Sequence, residues 1–306
     1  MTAAPQRWRK LGRVFVPDGT VEWMASHAAV PFAEPLPDGN VRVYFSSRDT
    51  ANRSHTGFFD FDPERPQQIL GLSRSPVLSP GELGEFDDSG AMASWIAHSQ
   101  GQRFLYYIGW NLGVTVPFRN SIGLAMSGES GTFNRRFSGP ILDRSAHEPH
   151  FVASCCVIPG DDVWRMWYLS CTAWHMREGR PEHRYHIKYA ESDDGISWRR
   201  DGAVAIDYAD DSEYAISRPS VLKDEAGWHM WYSYRGERYR IGYACSDDGV
   251  RWERHDASVI LAPSENEWDA VMIEYPHVFE HKGRRYMLYN GDGYGLTGLG
   301  LAVQEF

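Results

Sequence analysis

One short strand-like segment occurs five times along this chain of 306 residues, and it constrains the fold more than any other feature. Each copy alternates aromatic and aliphatic residues, and equivalent positions are separated by 57 to 64 residues. The copies are Val41–Ser47, Arg103–Gly109, Trp164–Ser170, Trp228–Tyr234 and Arg285–Gly291. A segment that recurs at such a period predicts a repeat architecture, because each repeat is one unit that buries its apolar face against the next.

The residues around each copy complete a repeat of four strands. A polar turn such as Pro37–Asn40 precedes the copy, as expected for a hairpin. Further strand patterns lie before the turn and after the copy, and Val259–Leu261 is an example of the fourth strand. The last repeat lacks a fourth strand, which Leu11–Val16 could supply. The sequence therefore predicts an all-β, five-bladed β-propeller with four antiparallel strands per blade, closed by an N-terminal strand.

The repeats leave no room for a linker, so we expect a single domain over residues 1–306. The predicted blades are approximately 17–80, 81–143, 144–206, 207–262, and 263–306 together with 8–16.

Two repeats end in nearly identical tails with the pattern Asp-Asp-Gly-x-x-Trp, at Ser192–Trp198 and Ser246–Trp252, and Met126–Phe133 is a degenerate third copy. Asp could bind calcium and Trp could stack on a sugar. We instead expect Asp and Gly to form the turn between the third and fourth strands, and Trp to pack between blades.

Composition excludes several classes of function. The net charge of -10 argues against a binder of duplex nucleic acid, which needs a basic face. No apolar stretch is long enough for a membrane-spanning helix, and the first ten residues lack the apolar core of a signal peptide, so we expect a cytoplasmic protein. The four cysteines do not have zinc-site spacing. We predict no metal and no cofactor, and the sequence leaves the oligomeric state open.

In a propeller the innermost strands line an axial channel, so the ionisable residues on and before these strands are the candidates for a site. The predicted inner strands with their leading loops contain Ser26–Phe32, Phe86–Trp95, His147–Phe151, Asp211–Pro219 and Trp268–His277.

These segments give the chain a resemblance to the five-bladed propeller glycoside hydrolases, the group that includes families 32, 43, 62, 68 and 130. In family 43 one inner strand opens with Asp-Pro, whose Asp is the base, and a later one carries Glu-Gly-Pro, whose Glu is the acid. Glu274-Tyr275-Pro276 resembles the second motif. Val30-Pro31 and Arg218-Pro219 stand where Asp-Pro would be expected, so the chain departs from the family at the base. Segments such as Ser46–Asp49 and Tyr289–Gly291 more closely resemble an uncharacterised branch of the group.

Cleavage of a glycosidic bond uses one carboxyl group that stays protonated and a second that activates water or attacks the sugar. Glu274 is the first candidate for the acid, because its apolar neighbours would raise its pKa. Asp88 or Glu213 would be its partner. His27 is a candidate general base or ligand for a sugar hydroxyl or phosphate. Each of these residues could instead serve the structure, as an ion pair, a turn cap or a buried imidazole.

Arginine greatly outnumbers lysine in the chain. Guanidinium groups hold carboxylates and phosphates in a bidentate manner, so an anionic sugar, sugar phosphate or sugar nucleotide would suit a channel with several of them. Ion pairs with the abundant acids are the alternative. The predicted substrate-binding residues are Arg48, Arg53, Arg218, Arg235, Trp110, Asn120, Asn290 and Tyr294.

Three hypotheses follow from these residues. The first is a glycoside hydrolase or phosphorylase that acts on a small-molecule or oligosaccharide substrate with two carboxyls in the channel. The second is a non-hydrolytic enzyme of glycan or natural-product biosynthesis, for which we expect a pocket rich in Arg and His with one well-placed acid. The third is a carbohydrate-binding or protein-binding propeller without catalysis.

Overall fold

The computed structural model describes residues 4–127 and 132–305. In these ranges the chain forms 21 β-strands and one 3₁₀ turn, Asp256–Ser258, with no α-helix, which confirms the expected all-β class. The strands are, in chain order, β1 (Gln6–Phe15), β2 (Ser26–Pro35), β3 (Val41–Arg48), β4 (Ser54–Phe61), β5 (Ile69–Leu72), β6 (Gly90–Ser99), β7 (Gln102–Leu112), β8 (Phe118–Ser127), β9 (Asn134–Arg135), β10 (Val152–Ile158), β11 (Trp164–Arg177), β12 (Arg180–Ser192), β13 (Val204–Ile206), β14 (Ala215–Asp224), β15 (Gly227–Arg235), β16 (Tyr239–Ser246), β17 (Glu253–Arg254), β18 (Val259–Ile260), β19 (Glu274–His281), β20 (Arg284–Asn290) and β21 (Leu299–Glu305). No helix in the described ranges is long and apolar enough to cross a membrane.

The strands form antiparallel groups, each of which runs outward from one inner strand. Two eight-stranded sheets each contain two groups: β2–β5 with β6–β9, and β10–β13 with β14–β17. A single parallel bridge joins the groups in each sheet, Ser54 to Gly90 in one and Tyr185 to Ala215 in the other. In the third sheet β1 pairs antiparallel with β21, so a strand from the N-terminal region completes the group of β19–β21.

Aromatic and aliphatic side chains fill the spaces between groups. Trp164 and Tyr168 of β11, for example, share a cluster with Tyr106 of β7. Phe45 and Phe59 pack in the same cluster as Tyr286 and Leu301 from the last sheet. Because the last group packs on the first, the curled sheets close into a ring of the propeller kind, and the sheet edges are covered.

The two Asp-Asp-Gly-x-x-Trp tails form turns, as expected. The Asp194 carboxylate accepts hydrogen bonds from the backbone N–H groups of Ile196 and Ser197, and Asp248 does the same for Val250 and Arg251. The glycine carbonyls in the tails accept hydrogen bonds from the preceding group, Gly195 from Tyr106 and Gly249 from Trp167. Residues 128–131 of the third, degenerate copy lie outside the described residues.

Every inner strand has a β-bulge at the same place. The pairing with the second strand of the group shifts between Ala29 and Phe32, Ala93 and Trp95, Ala153 and Cys155, Ser217 and Ser220, and Glu274 and His277. A bulge re-aims the extra side chain and often lies beside an active site. The bulges therefore mark one level of the ring at which side chains from distant parts of the sequence can meet.

Candidate active site

A cavity of about 400 Å³ lies between the inner strands of the ring. Apolar residues such as Met92, Ile108 and Phe151 form part of its wall. The polar side chains in the lining are His27, Ser46, Arg48, Ser54, Asn120, Ser154, His183, Tyr185, Ser217, Arg218, Tyr239, Tyr275 and Tyr294. The cavity has the size and composition of a small-ligand site. Among the described residues, its lining contains no carboxylate.

The bulges place four side chains in this wall: Val30, Ser154, Arg218 and Tyr275. Three of them have left-handed backbone, with φ of 48° at Val30, 56° at Arg218 and 55° at Tyr275. Left-handed backbone is costly for bulky side chains and concentrates at functional sites, where the surrounding structure enforces it. These bulges therefore position side chains at the expense of local backbone stability.

Arg218 is a buried cation in the cavity wall, with an exposed fraction of 1%. Its guanidinium donates hydrogen bonds to the Ser94 hydroxyl and to the carbonyl oxygens of Ser94, Val30 and Pro31. These partners are neutral, and burial lowers the pKa of Arg218 to about 10, so the group stays charged at neutral pH. Because no carboxylate in the described part of the chain pairs with it, this charge makes the adjacent wall attractive to an anion.

His27 and Arg48 form a second polar part of the wall. Nδ1 of His27 lies 2.9 Å from the Ser26 hydroxyl, and Arg48 donates a hydrogen bond to the side-chain oxygen of Asn52. Burial, with the nearby charge of Arg48, lowers the pKa of His27 to about 4. The imidazole is therefore neutral at pH 7, with one nitrogen that can accept a proton or hydrogen bond, beside a guanidinium that can hold an anion.

Glu274 is a buried carboxyl at the first residue of β19. It lies directly before the bulge of this strand and pairs with Asn290. The equivalent positions of three other inner strands are held by Ala29, Ala153 and Ser217, and all three line the cavity. The Glu274 side chain is fully buried, and neither carboxyl oxygen has a hydrogen-bond partner among the described residues. Burial raises the pKa of Glu274 well above its ordinary value, and the charge of Arg235 opposes this effect. Burial therefore favours the protonated form of this carboxyl.

Tyrosines line the cavity wall near Glu274. Tyr275 and Tyr239 both line the wall, and the charge of Glu274 contributes to the raised pKa of each, after the larger effect of burial. The Tyr239 and Tyr185 hydroxyls form a short hydrogen bond with each other. Near the buried carboxyl, the cavity wall therefore contains a pair of hydrogen-bonded hydroxyls that burial keeps protonated at neutral pH.

A ring of aromatic side chains continues this wall. His183 stacks on Tyr185 with 4.7 Å between ring centroids, and burial lowers the pKa of His183 to about 4. Trp174 lies 5.4 Å from His183 and 5.6 Å from Phe118. Such a surface suits the apolar face of a sugar ring or another flat ligand.

The structure brings five of the predicted substrate-binding and catalytic residues into the cavity lining: His27, Arg48, Asn120, Arg218 and Tyr294. Arg235 lies next to the lining, because it donates a hydrogen bond to the Tyr294 hydroxyl and packs over the Tyr239 ring. Trp110 donates a hydrogen bond to the hydroxyl of Ser54, which belongs to the lining. Their roles in binding stay predictions.

Three predicted residues lie elsewhere. Asp88 and Arg53 line a separate surface depression, where Asp88 accepts hydrogen bonds from Ser89 and from the Gly84 backbone. Arg53 pairs with Asp49 at 2.9 Å. Asn290 is fully buried and joins the last sheet to the first by hydrogen bonds with the backbone of Val30 and Ala28.

Glu213 belongs to a structural arrangement that occurs four times. Its carboxylate pairs with Arg254 at 2.7 Å, outside the cavity lining. In each case a buried acid in the loop before an inner strand binds a cation from the outer part of its group. The other pairs are Asp87 with Arg135, Glu148 with Arg200, and Asp269 with Lys10, at 2.5 to 2.8 Å. Asp88, Glu213 and Glu274 therefore do not share one pocket, and a catalytic role for Asp88 or Glu213 stays a prediction.

Sequence reasoning missed Tyr185, Tyr239 and His183. These residues lie in the first half of the third strand of their groups, where Asn120 was the candidate that the sequence supplied. A usable signal was present, because the repeat predicts a further strand after each aromatic segment, and Tyr185 and Tyr239 lie in these strands. The hairpin before that strand rises at the cavity end of the ring, which only the folded chain makes evident.

The fold is shared with solved propeller glycosidases. A glycosyl hydrolase from Bacteroides ovatus superposes with a TM-score of 0.73 and 16% identity, over 98% of this chain and 94% of that one. A structure from glycoside hydrolase family 130, a family of mannoside phosphorylases that contains glycoside hydrolases targeting β-1,2 mannosidic linkages in Candida mannan, has a TM-score of 0.71, 15% identity, and coverage of 98% and 94%. A thermostable family-43 glycoside hydrolase has a TM-score of 0.66, 16% identity, and coverage of 92% and 88%. The expected resemblance to this superfamily is thus confirmed for the fold.

Similarity in sequence is closer to two proteins of Mycobacterium tuberculosis. No protein-family model matches the chain. The uncharacterized proteins MT1551 and Rv1502, from two strains of that organism, are each 42% identical to it over 298 residues, which cover 97% of this chain and 99% of theirs. This chain therefore belongs to the same family as Rv1502 and MT1551 of Mycobacterium tuberculosis.

Proposed function

We propose that this protein is a glycoside-active enzyme that binds a sugar in the axial cavity of a single five-bladed propeller spanning residues 1–306. Five antiparallel groups, each with a bulged inner strand, support the blade count, and the blade limits follow the sequence repeat. The four cysteines are unpaired thiols, which supports a cytoplasmic location. The solved glycosidases of the same fold support a sugar as the substrate.

Glu274 is the proposed source of the proton for the leaving oxygen. The observation that carries this proposal is a buried carboxyl, without a hydrogen-bond partner among the described residues, near a cavity whose lining contains two arginines and, in those residues, no carboxylate. Among the described residues no hydrogen bond joins this carboxyl to the paired hydroxyls of Tyr239 and Tyr185, so the proposal requires that substrate binding bring them into contact and that the proton then pass through these hydroxyls. Glu274 then takes the negative charge, which Arg235 stabilises.

Attack on the sugar by an external phosphate fits the lining better than attack by enzyme-activated water. Hydrolysis requires a second carboxylate to activate water or to attack the sugar carbon itself. Phosphorolysis does not require a second carboxylate, because the phosphate itself attacks the sugar. A phosphate oxygen forms the new bond to the anomeric carbon, the bond from that carbon to the leaving oxygen breaks, and the leaving oxygen gains the proton. Arg48, Arg218 and neutral His27 supply the charge and hydrogen bonds that a phosphate needs. The same lining suits a sugar that already carries an anionic group, including one used in a non-hydrolytic biosynthetic reaction.

The test is a panel of aryl glycosides and sugar 1-phosphates, assayed with and without inorganic phosphate. We expect wild-type cleavage to depend on phosphate and to yield a sugar phosphate, and Glu274→Gln to lower kcat by about 10²–10⁴-fold, the usual contribution of a general acid. Asp88→Asn, outside the cavity, is the matched carboxyl control and should retain activity. Equal rates for wild type and Glu274→Gln would refute the acid assignment, and sugar binding without turnover of any compound would favour a non-catalytic propeller.

A further inference from the structure

A second cluster of chemically active side chains lies at the end of the strands opposite the cavity. The turn after β4 there meets the hairpin between β19 and β20. Asp62 and Glu64 of the turn face His281 of the hairpin, with one potential ligand atom from each residue within 4.8 Å of the other two. The cluster thus connects the first and last groups of the ring.

His281 is the informative member of the cluster. Its side chain is only 7% exposed, and its Nε2 atom is buried without a hydrogen-bond partner among the described residues. This nitrogen faces the Asp62 carboxylate, with 4.0 Å between Nε2 and Oδ1, too long for a hydrogen bond. A buried unpaired nitrogen is costly, and a group that occupies the space between imidazole and carboxylate would remove the cost.

We propose that Asp62, Glu64 and His281 bind one divalent transition-metal ion of the Zn²⁺ type. One imidazole nitrogen and two carboxylate oxygens, with water in the remaining position, are a donor set that such ions accept. The site is separate from the axial cavity, so it does not depend on the proposed enzyme activity. Because its ligands are more than 200 residues apart in sequence, the bound ion would hold the first and last groups of the ring together.

Lys282 provides a second way to test the proposed metal site. Its ammonium lies 2.6 Å from the Glu64 carboxylate, so it competes with a metal for this ligand. The ammonium is half-exposed and can swing into solvent when the ion binds. Removal of this charge should therefore strengthen metal binding, whereas a purely structural ion pair would only lose a surface contact.

The experiment uses the chelator-treated, full-length protein in two titrations. In the Zn²⁺ titration the thermal unfolding midpoint is measured, and in the Co²⁺ titration the visible absorption is measured. We expect one equivalent to bind and the midpoint to rise by about 5 °C at a hundredfold excess over Kd. His281→Gln should weaken binding by at least about tenfold, and Asp62→Asn, a conservative change at a partly buried turn residue, should do the same. Lys282→Gln should bind several-fold more tightly than wild type.

His255→Gln is the matched control, because the Nε2 of His255 is also buried without a hydrogen-bond partner among the described residues and lies 3.7 Å from a single carboxylate, that of Glu253. This variant should respond to the metal as wild type does. A wild-type protein with no Co²⁺ absorption and no Zn²⁺-dependent midpoint would overturn the proposal. Unchanged affinity in both His281→Gln and Asp62→Asn would also overturn it, since the ion would then be bound elsewhere.

Discussion

Glu213 and Glu274 are two buried glutamates with opposite surroundings. Glu213 has Arg254 within 2.7 Å and accepts a further hydrogen bond from the Ala209 backbone, whereas neither carboxyl oxygen of Glu274 has a partner among the described residues. Paired acids recur in the loops before four inner strands, whereas Glu274, near the cavity, is a buried acid with neither oxygen paired within the described ranges. The difference teaches that burial alone does not identify a functional acid. A repeated acid whose charge is compensated supports the fold, and a buried acid that burial keeps protonated is a candidate for chemistry.

The largest expected effect on stability comes from the paired acid. Glu213→Gln should lower the free energy of unfolding by about 3 kcal/mol, at the low end for a broken buried pair because Arg254 keeps a second partner, Asp256. Glu274→Gln should change the free energy of unfolding by less than about 1 kcal/mol, since a neutral amide replaces a carboxyl whose neutral form burial already favours. Urea unfolding of both variants measures the contrast. If Glu274→Gln were the more damaging change, its carboxyl would be charged and paired in the folded protein.

Tyr239→Phe tests whether the cavity tyrosines carry the proton. We expect kcat to fall about 10–100-fold with little change in KM, because the hydroxyl between Glu274 and the cavity is removed while the ring remains. Tyr232→Phe is the matched control: Tyr232 is equally buried, but its hydroxyl binds Asp256 away from the cavity. Equal kcat values for wild type and Tyr239→Phe would refute the relay and leave direct transfer from Glu274 as the alternative.

Arg48→Gln tests the anion site. The loss of a charge-assisted hydrogen bond should raise KM for phosphate about tenfold, which corresponds to roughly 1.4 kcal/mol, and should reduce the dependence of KM on ionic strength. Arg53→Gln is the comparison, because Arg53 pairs with Asp49 outside the cavity lining. A similar KM in wild type and Arg48→Gln would mean that the anion binds elsewhere, with Arg218 as the next residue to change.

The smallest predicted effect is a pH dependence of stability that arises from His183. Burial, with the charge of Arg235, lowers its pKa to about 4, below the ordinary value of 6.5. The unfolded chain therefore binds more protons between these values, so stability falls as the pH drops from 6.5 toward 4. His183→Gln should remove the part of this loss that lies between pH 7 and 6, about 0.7 kcal/mol for these two pKa values. An identical pH profile for the variant would show that His183 is solvated when folded.

Much of the architecture could be predicted because it depends on local patterns. The aromatic strands all appear where the repeat located them, and Asp194 and Asp248 form the turns that their sequence tails predicted. The lining positions of His27, Arg48 and Arg218 followed from their places on or next to inner strands. Asp87, directly beside Asp88, was overlooked as a buried acid, because a one-residue difference on a loop decides which side chain faces inward and the sequence alone does not fix that direction.

The sequence by itself determined the class of fold, since short alternating strands at a regular spacing can bury their apolar faces only by stacking on one another. It also determined that Glu274 stands among apolar neighbours and that arginines lie near the inner strands. Only the tertiary structure decided which acids have partners. Arg254 approaches Glu213 across 41 residues of chain, and Arg218 meets the backbone of Val30 across 188 residues. Charge compensation depends on distances of a few ångströms between segments remote in sequence, and chain packing sets those distances.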